Sequence, residues 1–322
     1  MGPFYELVTS ELLLPVDKAL LTELKQKNTK KIQKIDAEIL DAEQNGRKSE
    51  VCQAFRKKSE YLCQIGDKDA AVSAFHQTFE KTDGRGGRID LVFNLIRLGF
   101  FFLDHKLISA NINKAKGLIQ YRDWESKNRL RAYEGLYKMA TGDFKGAAAL
   151  FLEAVPIFGS YELMSYEDLV FYTVLSTVYS LDRPELREKV MRCNEIQEQL
   201  TGGGEKGDLI PIRQYVDAFY NCTYDQFFIM LAQLESQRLK FDRYLAPHYD
   251  LYSLDMRLKA YEQFLIPHTA VRLDMMAKDF GVSIKVLRQE LGCLILDRKK
   301  LNYSIDDVKQ IILKNNPVPT EK

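Results

Sequence analysis

Acidic residues recur along this chain at near-regular steps of 37, 39 and 39 residues, at Asp67, Asp104, Asp143 and Asp182, each in a short polar turn between two apolar-periodic segments. Helical periodicity on both sides of a turn, repeated at that interval, is the signature of stacked helical hairpins, because one hairpin cannot bury its apolar face without a neighbour. The pattern predicts an all-α, right-handed solenoid. Such an architecture offers a surface rather than a pocket, so holding other proteins is the first functional expectation.

The residues at the turns have mechanical roles. In the third hairpin, residues 124–155, Gly142 can take the left-handed conformation that ends one helix and Asp143 can cap the next. The small Ala147 lets two helix axes approach, and Phe151, one turn on, fills the space beyond. The first hairpin, residues 51–80, repeats this set with Gly66, Asp67, Ala71 and Phe75. The second, residues 89–120, turns at Asp104-His105, and the fourth, residues 166–200, turns at Asp182-Arg183-Pro184, where proline suits the first turn of a helix. This Gly-Asp-x-x-x-Ala-x-x-x-Phe pattern is similar to the middle of a tetratricopeptide repeat, at a spacing above the roughly 34 residues of that family.

Before the repeats, residues 1–48 form an N-terminal segment whose Lys- and Glu-rich stretch from Asp17 carries an apolar stripe at Leu21, Leu24, Ile32, Ile35 and Ile39, the pattern of an amphipathic helix. Repeats occupy 49–200. Residues 201–208 hold four glycines and read as an exposed loop, and helical periodicity resumes over 209–266. Pro267 marks a boundary. Residues 267–316 then give a helix, a Gly281-Val282-Ser283 turn, a longer helix, and an alternation of Leu301, Tyr303 and Ile305 with polar residues that predicts a half-buried strand. Together these make a winged helix with a small β wing, followed by a tail at 317–322.

Composition removes several classes of function. Forty-six basic and 45 acidic residues leave a net charge of +1, which points to neither nucleic acid nor an anionic membrane as the main partner. No apolar run approaches the ~20 residues that span a bilayer. The N-terminus lacks the features of a secretory signal, so a cytoplasmic and nuclear location is expected, and five widely spaced cysteines fit reduced thiols. His76, His105, His248 and His268 are isolated, with no zinc-ligand spacing, so no metal, cofactor or catalytic residue is assigned. In the run Gly202-Gly203-Gly204-Glu205-Lys206-Gly207, Asp208 and Leu209 stand where a phosphate loop needs Lys and Ser or Thr. Gly84-Arg85-Gly86-Gly87-Arg88 has no preceding strand and reads as a flexible connection between hairpins. In the winged helix, nine basic residues face six acidic ones, and Glu290 and Asp297 share the element that carries Lys285, Arg288 and Gln289. That makes a docking module a better reading than a phosphate-binding one.

Solenoid and winged helix together resemble the PCI-domain family, and within it the subunits of the proteasome lid. The resemblance covers residues 36–316. It rests on Tyr61-Leu62-Cys63-Gln64-Ile65-Gly66-Asp67-Lys68, Arg88-Ile89-Asp90-Leu91-Val92-Phe93, Ser160-Tyr161-Glu162-Leu163-Met164, Arg183-Pro184-Glu185-Leu186, Arg213-Gln214-Tyr215 and Ala246-Pro247-His248-Tyr249, in that order. It implies a non-catalytic scaffold in a hetero-oligomer. The implied partners are other PCI-domain lid subunits and the ATPase ring, and the implied role is ubiquitin-dependent protein degradation. A COP9 signalosome scaffold and a nucleic-acid-binding winged helix are the alternatives. For contacts between winged helices, Leu301, Tyr303 and Ile305 are the interface candidates, as the edge of an exposed strand.

Overall fold

A computed structural model describes residues 1–202, 209–296 and 303–315. They form two compact units, Met1–Tyr133 and Glu134–Lys322. The fold is all-α except for a small sheet near the C-terminus.

The first unit begins with α1 (Gly2–Glu11), which the sequence reading does not place. α2 (Lys18–Asn45) follows, started by Asp17, whose carboxylate accepts from the Ala19 and Leu20 amides. Its stripe buries Ile35 and Ile39 while Lys and Glu line the solvent face, as Lys27 and Glu23 do at 2.5 Å. Two hairpins come next: α3 (Lys48–Ile65) with α4 (Lys68–Lys81), and α5 (Arg85–Phe102) with α6 (His105–Leu118). The glycine-rich stretch from Gly84 to Arg88 is therefore not a flexible connection. Gly84 is the N-cap of α5 and the remaining residues are its first turn, because Ile89, Leu91, Val92 and Phe93 behind them are buried and carry the helix back through two weak helix formers. Arg88 fixes this start by donating to the Thr82 carbonyl at 2.6 Å.

In the second unit, the rest of α7 (Trp124–Ala140) precedes α8 (Phe144–Ala154) and α9 (Tyr166–Ser180). α9 is buried on all sides from Leu169 to Val178, which makes it the axis of this unit's core. The second arm of the fourth hairpin is not one helix. It is divided into α10 (Arg183–Leu186), a π turn over Arg187–Met191, and α11 (Asn194–Gly202). Leu186 and Val190, four residues apart and so on one face, are both fully buried. α12 (Ile210–Tyr220), α13 (Tyr224–Leu234) with a π turn at Glu235–Leu239, and α14 (Tyr249–Leu265) complete the helical part; of the glycine-rich loop, 203–208 lie outside the described residues.

The winged helix consists of β1 (Ala270–Arg272), α15 (Leu273–Asp279), α16 (Ile284–Leu296), β2 (Tyr303–Asp306) and β3 (Ile311–Lys314). Its sheet has three antiparallel strands in the order β1-β3-β2, with Val271 opposite Ile312 and Ile305 opposite Ile312 on the other side. The segment before α15 supplies the third strand, too short to show a period in the sequence. Gly281, at φ +63°, makes the tight turn between α15 and α16.

Candidate functional site

The candidate site is the set of turns that fixes the repeats, together with the edge of the winged helix. In three of the four turns the aspartate caps the helix that follows: Asp67 accepts from the Ala70 amide at 3.1 Å, Asp104 from Leu107 at 3.0 Å and Asp143 from Gly146 at 2.8 Å. Asp182 precedes α10 without a side-chain cap bond. Its Pro184 has no amide hydrogen to satisfy, so the helix start needs less capping there. Gly66 and Gly142 end α3 and α7 at φ +79° and +82°. Leu103 holds the equivalent place after α5 at φ +53°, a conformation that costs a side-chain-bearing residue about 1–2 kcal/mol.

Two of the caps are also tied by charge, Asp104 to the preceding turn and Asp143 within its own. Lys68, in the first turn of α4, reaches the Asp104 cap at 2.6 Å and, as the largest contribution, pulls that carboxyl below its ordinary pKa. Lys138 does the same to Asp143 at 2.8 Å. Behind the turns, Ala71, Phe75, Ala147 and Phe151 are all buried. Phe151 lies over Gly135 of α7, where an added Cβ would stand 2.6 Å from its ring. A glycine inside a helical pattern is the signal in the sequence for that close approach.

Gly66 has a second reason to be glycine. A Cβ there would stand 2.6 Å from the Cβ of Phe4 in α1, whose ring also meets Phe101 at 5.7 Å. The N-terminal helix thus seats itself on the first repeat turn, with Glu6 and Lys25 paired at 2.5 Å.

Of the interface candidates, Leu301 lies outside the described residues. Tyr303 and Ile305 sit on β2, an outer strand in the order β1-β3-β2. In the chain by itself, the Tyr303 side chain is not exposed along this edge. Its ring is buried and its hydroxyl donates to the Leu265 carbonyl at 3.1 Å, because the alternation that turns Ser304 outward turns Tyr303 toward α14. Ile305 is half-buried. On α16, Arg288 pairs with Asp307 at 2.7 Å. Glu290, on the same helix as Lys285, turns inward to accept from Tyr261 and to pair with Arg257, both at 2.6 Å. Asp297 lies outside the described residues.

The winged helix is anchored on the helices before it by an aromatic cluster. Phe280, at the end of α15, meets Tyr224, Tyr261, Phe228 and Phe264 with ring centroids 4.6–5.4 Å apart. α9, buried from Leu169 to Val178, is held by polar contacts from three directions. Tyr172 donates to Asp242 at 2.7 Å, Arg238 pairs with Asp168 at 2.6 Å, and Tyr252 donates to the Leu175 carbonyl at 3.0 Å. Its C-terminus is capped by the ammonium of Lys259, which donates to the carbonyls of Val178, Tyr179 and Leu181 at 2.6, 2.9 and 2.7 Å. Sequence reasoning misses Phe280 and Lys259, since nothing local distinguishes a lysine that finds carbonyls some 80 residues away.

Comparison with known proteins places this geometry. Residues 17–189 match the model of the family described as 26S proteasome subunit RPN7, and residues 213–315 match the PCI domain. The chain is 58% identical over 317 residues to the 26S proteasome non-ATPase regulatory subunit 6 of Caenorhabditis elegans, covering 98% of this chain and 77% of that protein. It is 40% identical to the protein of that name from Oryza sativa and 39% to the homolog from Arabidopsis thaliana, with 98% of this chain and 80% of each relative covered. Helical hairpins, a terminal winged helix and identity of this extent make the chain a member of the family of 26S proteasome subunit RPN7, with a C-terminal PCI domain.

Proposed function

We propose that this chain is a non-catalytic structural subunit of the proteasome regulatory particle lid, which positions neighbouring subunits for ubiquitin-dependent protein degradation. The observation that carries the reading is 58% identity, over 98% of the chain, to a protein named as a 26S proteasome regulatory subunit. Its partners are other PCI-domain lid subunits and the ATPase ring, and it works in the cytoplasm and the nucleus. The repeats of 49–200 and the helices of 209–266 place the winged helix of 267–316, whose outer strand β2, with Tyr303 and Ile305, abuts a neighbouring winged helix together with Leu301. Gly66, Asp67, Ala71, Phe75, Gly142, Asp143, Ala147 and Phe151 serve by keeping the repeats in register. The mechanism is one of geometry: rigid caps and buried aromatic contacts fix where a partner is held, and no bond is made or broken.

The test is gentle affinity purification of the tagged chain followed by native mass spectrometry. Recovery in a complex with ATPase and lid subunits is expected. Recovery with signalosome subunits, or as a free monomer, would defeat the reading.

A further inference from the structure

Within the unit of residues 134–322, a cleft of about 350 Å³ opens between α13, α14 and the turn after α15. Its floor is apolar, formed by Phe228, Leu231 and Phe280. Two of the residues that line it each hold a buried polar atom without a partner, the hydroxyl of Ser253 and the Nε of Arg257. Ser253 is 9% exposed. Arg257 spends its outer nitrogen on Glu290 at 2.6 Å, which leaves Nε–H unused. The two residues stand one turn apart on α14, about 6 Å along the helix axis. A buried donor without an acceptor destabilises the fold that contains it, and two on one wall of one cleft ask for an acceptor from outside.

The chemistry of the cleft narrows what that acceptor belongs to. Arg257 Nε–H can only donate, and the serine hydroxyl can donate beside it, so the group they receive is a carbonyl or amide oxygen. Charge at the rim disfavours a carboxylate. Arg257 balances Glu290, and Lys240 balances Glu235 at 2.9 Å, which leaves Asp225 as the net negative charge. The apolar lining also continues along α13 through Ala232 and Ile229, the latter 55% exposed. That extent suits an extended chain more than a compact small molecule.

We propose that the cleft bounded by Phe228, Phe280, Ser253 and Arg257 docks a peptide segment of a partner protein. An apolar side chain fills the floor, a backbone or amide carbonyl accepts from Ser253 and Arg257, and an adjacent Lys or Arg meets Asp225. The inference rests on the assembly reading only in taking a protein as the occupant.

Panning a random displayed peptide library against the full chain, alone, tests it. The expected consensus is an apolar residue next to Lys or Arg. A synthetic peptide of that consensus should bind the parent and lose more than about tenfold in affinity to Ala232→Trp, which plugs the cleft from an exposed position, and to Asp225→Lys, with a smaller loss for Ser253→Ala. Thermal melts check each variant, and Ile229→Asp replaces Ala232→Trp if the tryptophan unfolds the chain. No enrichment, an acidic consensus, or binding that the plugged variant retains would overturn the proposal. Because the chain is used alone, these results stand apart from the purification above: the cleft can fail while the chain still enters its complex, and can succeed if it does not.

Discussion

Single residues carry strain and capping that bulk patterns hide. Gly66 combines a left-handed backbone with a steric reason to lack a Cβ, so Gly66→Ala should cost about 2 kcal/mol or more and loosen α1, read as a lower melting temperature and faster proteolysis before Asp17. Leu103 is in the same backbone region with its side chain 47% exposed. Replacing it by glycine relieves strain while adding chain entropy, so Leu103→Gly should leave the melt within about 1 kcal/mol of the parent. A large loss would show that the leucine side chain supports α5. Lys259 is the third such residue. Lys259→Met leaves three carbonyls at the end of α9 without their donor and should destabilise the second unit by about 1–3 kcal/mol, measurable by chemical denaturation.

At the scale of elements, close approach of helices depends on small residues placed opposite large ones. Ala147 is fully buried in α8, and Ala147→Arg should cost at least about 1–3 kcal/mol by overpacking and by burying a charge. A melt equal to the parent's would contradict its position against the core. The edge strand asks for a different experiment than the sequence suggests. Since Tyr303 is bonded to α14, Tyr303→Phe removes one hydrogen bond and should lower stability by about 1 kcal/mol without changing complex formation. Helix existence was legible in the sequence where apolar period, cap and stop agree, as in α2, α4, α6 and α8. The first turn of α5 was not legible, because its glycines favour a loop locally but are overruled by the buried run from Ile89 to Phe93. Nor was α1 legible, where the short segment is held by Phe4 packing on Gly66.

For the whole molecule, buried tyrosines and one buried lysine set the response to alkaline pH. Burial lowers the pKa of Lys259 to about 8 from 10.5, so the unfolded chain holds a proton there that the folded chain has released, and stability from this group rises between those values. Burial raises Tyr172, Tyr215, Tyr252 and Tyr261 well above 10, and Tyr179 to about 12. Above pH 10 the unfolded chain ionises these phenols while the folded one does not, so stability falls by up to about 1.4 kcal/mol per pH unit for each. Denaturation midpoints measured from pH 7 to 11.5 should therefore pass through a maximum and then drop steeply, and Lys259→Met should flatten the rise. A midpoint unchanged up to pH 11.5 would contradict the burial of the phenols.

By itself, the sequence determined the order of the hairpins, the caps at Asp67 and Asp143, the turn at Asp104, and the presence of a winged helix after Pro267, because periodicity, capping and turn chemistry act within a few residues and leave their mark in local spacing. Only the tertiary structure decided that Tyr303 points inward, that Phe280 anchors the winged helix, that Lys259 caps a helix about 80 residues before it, and that Ser253 and Arg257 share a cleft. Each of these depends on which surfaces meet after the helices pack, and no local pattern encodes the partner of a side chain that bonds across the fold.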